Sequence, residues 1–304
     1  MTEAAPKKKT DVKKTFIFFV KRFLNGIKKA FKTIISSKKS IAGFSILMFF
    51  ILVAIFGPII FPYEELTDAL NKFAPISWQH PLGTDELGRD LFRQLINGTR
   101  DVLTIAFFAS LFAVTFGVIL GIVSGLLGGV VDRIIQLITN LFLSIPSFPV
   151  MLMLAAFLQV EDSISFALIL AIFNWAGLCR AIRAQVISIK EREFILICKV
   201  MNVSKPHIIF KEIIPNIASY ILVNFIIIMK NATIGSVGIM MLGLASFDAS
   251  NWGAVLNRAK AVILNPKATL LWLMPILLIV LFQAGALLLS NGLDETLNPR
   301  LKKN

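Results

Sequence analysis

Few residues in this sequence could carry chemistry within a membrane, and Lys230 is the most unusual of them. It stands inside the apolar run 217–242. A charge at the centre of a bilayer costs about 2.5–3.5 kcal/mol, so such a side chain faces a wet pathway or a partner. We therefore expect Lys230, and more weakly Asn174, to line a translocation pathway. Alternatively, Lys230 pairs with Asn231 or a neighbouring subunit, or lies nearer the end of its span.

Catalytic constellations are absent from the sequence. It contains no G-x-x-x-x-G-K-[ST] phosphate loop, so ATP hydrolysis by this chain is not expected. Cys179, Cys198, His80 and His207 are too scattered to suggest a metal site or a disulfide framework. We therefore predict that the chain is not an enzyme, that it has no catalytic or metal-binding residues, and that it binds no cofactor itself.

Composition places the chain among membrane proteins. Hydrophobic residues make up 56% of the 304 residues and charged residues only 16%, whereas soluble domains carry about 25% charged residues. A membrane-spanning helix needs about 20 mostly apolar residues. The sequence thus predicts an all-α membrane protein with six transmembrane helices, at 41–61, 102–125, 134–158, 164–182, 217–242 and 269–290.

The distribution of Lys and Arg predicts the orientation. The first 40 residues contain twelve of these residues, and the loop 180–216 contains seven. Because basic residues concentrate on the cytoplasmic side, both termini and this loop are expected in the cytoplasm. The same bias accounts for the net charge of +13 without nucleic acid. We expect a multi-pass protein of the cytoplasmic membrane that contacts lipid and binds no nucleic acid.

The N-terminal segment, residues 1–40, is basic. From Phe16 to Ile34 its apolar residues recur at helical spacing, which predicts an amphipathic helix. The basic face of this helix suits the anionic cytoplasmic leaflet, although packing against other helices of a complex is an alternative.

The rest of the chain divides around the predicted spans. After the first span, residues 62–101 form an outer loop in which Thr84 is expected to cap a short surface helix, with Asp85 and Glu86 in its first turn. Residues 102–290 form a five-span core, and residues 291–304 form a cytoplasmic tail.

Small residues recur every four positions along the second predicted span. Such a stripe lets helix backbones approach closely, which is a main way in which helices associate in lipid. Gly117, Gly121 and Gly125 are therefore predicted packing residues, either within the subunit or against a partner subunit. The complete stripe consists of Ala109, Ala113, Gly117, Gly121, Gly125 and Gly129.

The cytoplasmic loop 183–216 has the pattern of a helix, a tight turn and a second helix. Asn202 tolerates the left-handed conformation that ends many helices, and Ser204 can cap a second helix that is expected to stop near Pro215. Apolar side chains mixed among charges indicate a docking surface. The alternative is a self-packed hairpin that merely links two spans.

Several motifs resemble those of the C-type permeases of dipeptide, oligopeptide and nickel ABC importers. The segment from His80 to Asp90 matches the signature H-P-L-G-T-D-x-x-G-R-D of that family. The loop resembles the EAA coupling motif, although Leu196-Ile197-Cys198 replaces Glu-Ala-Ala and Asn202 replaces glycine. The other matches are Trp175 with Arg180 and Arg183, Lys190 to Phe194, Ile214-Pro215-Asn216, Trp252-Gly253, and the tail from Asn291 to Leu301.

This resemblance implies a type I ABC importer permease fold and the function of a transmembrane permease subunit in an ATP-driven peptide importer. The implied partners are a second homologous permease, two ATP-binding subunits that use ATP and Mg²⁺, an extracytoplasmic substrate-binding lipoprotein, and a peptide substrate. Alternatives are import of a nickel or other metal chelate by the same architecture, or a membrane scaffold or exporter subunit outside this class.

The resemblance also implies which residues of the loop couple to the ATPase. Its apolar contact residues are then Phe194, Ile197, Val200, Met201 and Val203, its charged rim is Arg192, Glu193 and Lys199, and Asn202 forms the turn. Because the Glu-Ala-Ala triplet is missing, we expect a retained shape with altered contact chemistry, and therefore a dedicated ATPase partner.

Overall fold

The computed structural model describes residues 34–245 and 248–297, and regular structure in these ranges is almost entirely helical. Extended pairing in the described part of the chain is limited to one isolated antiparallel bridge between Thr84 and Asp90. The predicted all-α fold is therefore confirmed. The predicted amphipathic helix lies in residues 16–34, almost all of which fall outside the described ranges, as do the last seven residues of the predicted tail.

Nine helices make up the described fold. Five of them, α1, α2, α5, α7 and α9, are long and apolar enough to cross a bilayer. Helix α7 contains a π-helical turn at Ile208–Ile213, and two short 3₁₀ turns lie at Ala69–Asn71 and Pro266–Ala268. The helices are α1 (Lys38–Ile60), α2 (Leu91–Leu127), α3 (Gly129–Ser144), α4 (Ser147–Leu158), α5 (Ser163–Lys190), α6 (Glu193–Val200), α7 (Lys205–Met241), α8 (Trp252–Ala261) and α9 (Thr269–Leu297).

The third predicted span, 134–158, is not one straight helix. Helices α3 and α4 meet at an angle of 85° across a short break, so the count of spans reaches six only if this bent pair crosses the membrane as a unit. The break follows from Pro146, because a proline disfavours the helical conformation of the residue before it. Ile145 accordingly has an extended backbone, with ψ of 130°.

The prediction that Thr84 caps a surface helix is wrong. Residues 85–89 form a turn in which Gly88 has φ of +78°, a conformation that interrupts a helix. The Thr84 hydroxyl donates instead to the carbonyl of Asn71 and accepts from the backbone N–H of Ala74. This loop, residues 80–90, is called the signature loop below.

Helix α2 begins immediately after the signature loop. Asp90 is its N-cap, and the Asp90 carboxylate accepts from the backbone N–H of Arg93 at 2.8 Å. Asp and Asn are strong caps because their side chains satisfy N–H groups that lack an intrahelical partner. The predicted surface helix and second span are thus one helix of 37 residues, in which Leu91 and Leu95 are buried.

The small-residue stripe of α2 packs against α5 of the same chain. A Cβ atom added to Gly117 would lie 2.9 Å from the carbonyl oxygen of Trp175, and one on Gly121 would lie 2.7 Å from Cβ of Ile182. One on Gly125 would lie 2.8 Å from Val186. These three glycines therefore let two helix backbones approach each other within the subunit. Of the two predicted alternatives, packing within the subunit and packing against a partner subunit, the structure has the first.

Gly129 does not continue this stripe. It is the first residue of α3, has φ of +56°, and among the described residues has no neighbour within 4 Å of the position where a Cβ atom would lie. Gly128 before it also has a positive φ, of +66°. The pair forms the turn between α2 and α3, a role that spacing alone did not reveal.

A second set of close approaches joins α1 to α9. Added Cβ atoms on Gly43 and Gly292 would overlap the backbone of Leu289 and the side chain of Ser40. Aromatic contacts then connect this pair to α8, since the Phe50 ring lies 5.5 Å from that of Phe282 and 5.7 Å from that of Trp252. The first span is therefore packed firmly onto the core of its own chain.

The contact between α2 and α5 predicts the effect of a single methyl group. Gly121→Ala should lower the free energy of unfolding by about 1–3 kcal/mol, because overpacking forces neighbouring backbone to move. The matched control is Gly177→Ala on α5, where no neighbouring group in the described part of the chain lies within 4 Å of the added Cβ atom. Thermal unfolding of the purified protein in detergent measures both, and equal melting temperatures for the two variants would contradict this packing.

Candidate functional site: the hairpin and the signature loop

The loop between α5 and α7 forms the predicted helix–turn–helix, called the hairpin below (residues 191–213). Asn202 ends the first helix in the left-handed conformation with φ of +53°. The backbone N–H of Val203 donates to the carbonyl of Cys198 at 2.9 Å, which is the closing hydrogen bond of a Schellman turn. Ser204 is the N-cap of α7, although its side chain makes no capping hydrogen bond.

The second helix of the hairpin does not stop near Pro215, as the sequence suggested. It continues as α7 to Met241. A proline inside a helix leaves a carbonyl without its donor, and here the π-helical turn Ile208–Ile213 precedes the proline while the Asn216 amide donates to the carbonyl of Glu212 at 2.6 Å. The hairpin thus runs without a break into α7, and at its other end it follows α5 through the turn at Glu191 and Arg192.

The predicted apolar contact residues of the hairpin fall into two groups. Ile197, Val200 and Met201 are exposed, with Val200 at 88%. Phe194 and Val203 are partly buried against the core of the chain itself and so support the hairpin from beneath. Two further exposed apolar side chains, Leu196 and Phe210, belong to the same hairpin and were not predicted.

The charged rim is only partly described. Arg192 and Glu193 are exposed at the start of α6. The side chain of Lys199 lies outside the described part of the structure. The exposed apolar residues with this charged border form a surface that remains uncovered within the described chain, as a docking surface requires.

An ion pair holds the hairpin end of α5 against α3. Both nitrogens Nε and Nη2 of Arg183 donate to the Asp132 carboxylate at 2.6 Å, which is a bidentate geometry. Lys190 at the end of α5 donates to the carbonyl of Leu126 in α2 at 3.0 Å. Asp132 was not predicted to matter, since it lies just before the predicted third span, 134–158.

At the opposite end of the bundle, the signature loop is built around a buried ion pair. Asp85 is fully buried and Arg89 is 4% exposed, and Arg89 Nε donates to Asp85 Oδ2 at 2.8 Å. The same oxygen accepts from Gln94 at 3.0 Å, and Arg258 of α8 donates to Gln94 Oε1 at 2.6 Å. The network thus fastens the loop and α8 to the start of α2.

Burial governs titration around this network. Removal from water raises the pKa of the Tyr63 phenol to about 12, which outweighs the lowering by the positive charges of Arg89 and Arg258. Burial also lowers the pKa of Arg258, and the positive charge of Arg89 lowers it further. His80 joins the signature loop to α2, because His80 Nδ1 lies 2.8 Å from the capping carboxylate of Asp90.

The pathway candidates lie in the two helices that flank the hairpin. Lys230 is half-buried in α7, and among the described residues its ammonium has no hydrogen-bond or ion-pair partner, while its carbonyl accepts from Gln283 at 3.0 Å. Asn174 donates within α5 to the carbonyl of Leu170 at 2.6 Å. Trp175 is buried and stacks edge-on against Phe142 at 5.3 Å, as expected for a packing residue.

Comparison with known proteins now identifies the architecture. Residues 117–303 match the family model "Binding-protein-dependent transport system inner membrane component". Residues 27–75 match the model for the N-terminal transmembrane domain of oligopeptide transport permease C. The chain belongs to the binding-protein-dependent permease family. It is therefore a multi-pass inner-membrane component of a transport system, and the predicted family is confirmed.

Individual permeases of this family extend the likeness over most of the chain. The dipeptide transport system permease protein of Alkalihalophilus pseudofirmus is 33% identical over 279 residues, which cover 90% of each chain. The oligopeptide transport system permease protein of Bacillus subtilis is 28% identical, with 88% of each chain covered. The metal-staphylopine import system permease protein of Staphylococcus aureus is 33% identical, covering 89% of this chain and 93% of its own.

The buried ion pair of the signature loop makes a prediction about stability. Asp85→Ala should lower the free energy of unfolding of this permease by about 1–3 kcal/mol, because it leaves the buried Nε of Arg89 and the Gln94 amide without their shared acceptor, while Arg89 keeps only its longer contacts to Glu65 and Glu86. Glu64→Gln removes an exposed carboxylate from the segment between α1 and α2 and is the matched control. Thermal unfolding in detergent compares them, and an Asp85→Ala protein as stable as the control would contradict the network.

Proposed function

We propose that this chain is a transmembrane permease subunit of an ATP-driven importer of dipeptides or oligopeptides. The main support is its identity of 33% with a dipeptide permease over 90% of both chains, together with the likeness to an oligopeptide permease. In this proposal the chain forms the translocation pathway with a second homologous permease. Two separate ATPase subunits use ATP and Mg²⁺, and an extracytoplasmic lipoprotein delivers the peptide.

The proposed orientation places both termini and the hairpin in the cytoplasm. It is supported by the concentration of basic residues in the N-terminal segment and in the loop 180–216. The signature loop then faces the outside, where the binding protein docks. The same proposal divides the chain into an N-terminal segment, a first span, an outer loop, a five-span core and a tail.

The hairpin is the proposed contact to the ATPase. ATP-driven closure of the two ATPases moves the hairpin, and α5 and α7 transmit that movement into the membrane because α7 forms one helix with the second half of the hairpin and α5 ends directly before the hairpin. A binding partner shifts such an equilibrium only if it contacts the two states with different free energies. We assign the apolar contact to Ile197, Val200 and Met201, with Arg192, Glu193 and Lys199 as the charged rim.

A decisive test reconstitutes this chain with its second permease, its ATPases and candidate binding proteins. The proposal predicts ATPase activity stimulated by a binding protein loaded with peptide, and ATP-dependent uptake of labelled peptide. Stimulation by a metal–staphylopine-type chelate without stimulation by any peptide would contradict peptide import. It would instead favour the second candidate, chelate import, which the likeness to the metal-staphylopine permease supports.

The hairpin contact predicts a specific loss of coupling. Val200→Asp should weaken ATPase binding about tenfold or more, because burying a valine contributes about 1.5–3 kcal/mol and a carboxylate cannot replace it. Leu264→Asp is the control, since Leu264 is 94% exposed at the opposite end of the bundle. Co-purification and peptide-stimulated ATPase activity measure the effect, and equal coupling in both variants would rule out this contact.

The pathway role of Lys230 predicts an effect on uptake. A hydrogen bond to a charged group contributes about 1.5–3 kcal/mol, so Lys230→Met should raise the KM for peptide uptake about tenfold or more. Lys260→Met removes a positive charge from α8 outside the spans and serves as the control. Unchanged uptake kinetics in Lys230→Met would end the pathway assignment, whatever the stability of the variant.

A further inference from the structure

An apolar groove runs along the side of the bundle between α1 and α2. It has a volume of about 630 Å³, within the range of ligand-binding sites in proteins. Buried Leu47 and Phe282 form its floor, while Ile51, Ile55 and Phe107 form partly exposed walls. The groove belongs neither to the hairpin nor to the signature loop.

The groove has the length of one lipid leaflet. It extends along α1 from Leu47 to Ile59, which is about 18 Å at a rise of about 1.5 Å per residue. Half of a typical hydrocarbon core is about 15 Å. A chain that enters at the Ile59 end therefore reaches the middle of the bilayer, as a single acyl chain does.

One basic side chain, Arg100, stands at the mouth of the groove. It is exposed, and in residues 34–245 and 248–297 its guanidinium has neither an ion-pair nor a hydrogen-bond partner. Its neighbour Asp101 offers it no compensation, since both carboxylate oxygens of Asp101 are occupied by Ser163 and Asn251. An unpaired guanidinium at this depth is suited to an anion at the level of the lipid headgroups.

The mouth continues into a polar cleft of about 500 Å³. Arg100 and Thr104 line both the groove and the cleft, and Asn97 and Tyr63 line the cleft on its outer side. Apolar surface, the Arg100 guanidinium and a polar cleft that also contains the carboxylates of Asp101 and Asp248 thus follow one another along one line. This sequence of chemistry matches the acyl chain, the phosphate and the polar headgroup of a phospholipid.

We infer that the groove is a binding site for one phospholipid of the leaflet on the signature-loop side, with its phosphate on Arg100 and an acyl chain between α1 and α2. Contact with lipid tails gains no hydrophobic free energy within a bilayer. Retention of this lipid therefore depends on shape and on the Arg100–phosphate contact. The site is independent of the transported substrate.

Native mass spectrometry of the purified transporter complex, titrated with phosphatidylethanolamine or with diacylglycerol, tests this site. The complex should retain phosphatidylethanolamine, and Arg100→Gln should lower the retained fraction about fivefold, the factor expected for one basic side chain at a lipid headgroup. Arg93→Gln removes a charge from the same helix outside the groove and should leave retention unchanged. Diacylglycerol should bind weakly and equally to all three proteins.

Equal retention of phosphatidylethanolamine by Arg100→Gln and Arg93→Gln would overturn the site. A photoreactive benzoylphenylalanine at Ile55 provides a second measurement that leaves Arg100 intact. Irradiation in vesicles should give a lipid adduct. A crosslink to the second permease instead would show that the groove is a subunit interface, and would equally overturn the proposal.

Discussion

The structure depends on how closely α2 and α5 approach each other. Gly117, Gly121 and Gly125 have no space for a Cβ atom against the facing helix, so the two backbones are in direct contact along about two helical turns. Within a bilayer, an apolar side chain gains no hydrophobic free energy by exchanging lipid for another helix. Close packing of this kind is therefore a principal cause of helix association. These two helices therefore form the fixed frame on which the other spans are placed.

Both ends of this frame carry the features that the proposed function needs. At one end, α5 leads into the hairpin and is tied to α3 by the bidentate contact of Arg183 with Asp132. At the other end, α2 starts from the signature loop, whose Asp85–Arg89 pair is linked through Gln94 to Arg258 of α8. The hairpin and the signature loop are thus connected through the packed helices α5 and α2.

Features that depend only on residues close together in the sequence could be predicted from it. Apolar runs of sufficient length located the five long helices that can cross a bilayer, but not the 85° bend within the third predicted span. Asn202 ended α6 in the left-handed conformation because its side chain tolerates that geometry. Features that depend on distant partners were missed. Thr84 was predicted to cap a helix, but the Asp85 carboxylate accepts backbone hydrogen bonds that form a turn there instead. Pro215 was predicted to end a helix, but a π-helical turn precedes it and the helix continues. Asp132 contributes through its contact with Arg183, which lies 51 positions away in the sequence.

Electron paramagnetic resonance can measure distances between spin labels in the reconstituted complex. Such measurements test most directly whether the hairpin moves as a rigid part of this frame. Spin labels at Lys205, which is exposed in the hairpin outside the proposed ATPase contact, and at Leu127 report movement within the chain. Labels at Lys205 and the equivalent position of the second permease report movement between subunits. On ATP binding, rigid movement predicts an unchanged distance within the chain and a shorter distance between the hairpins. A changed Lys205–Leu127 distance with a constant distance between hairpins would contradict it.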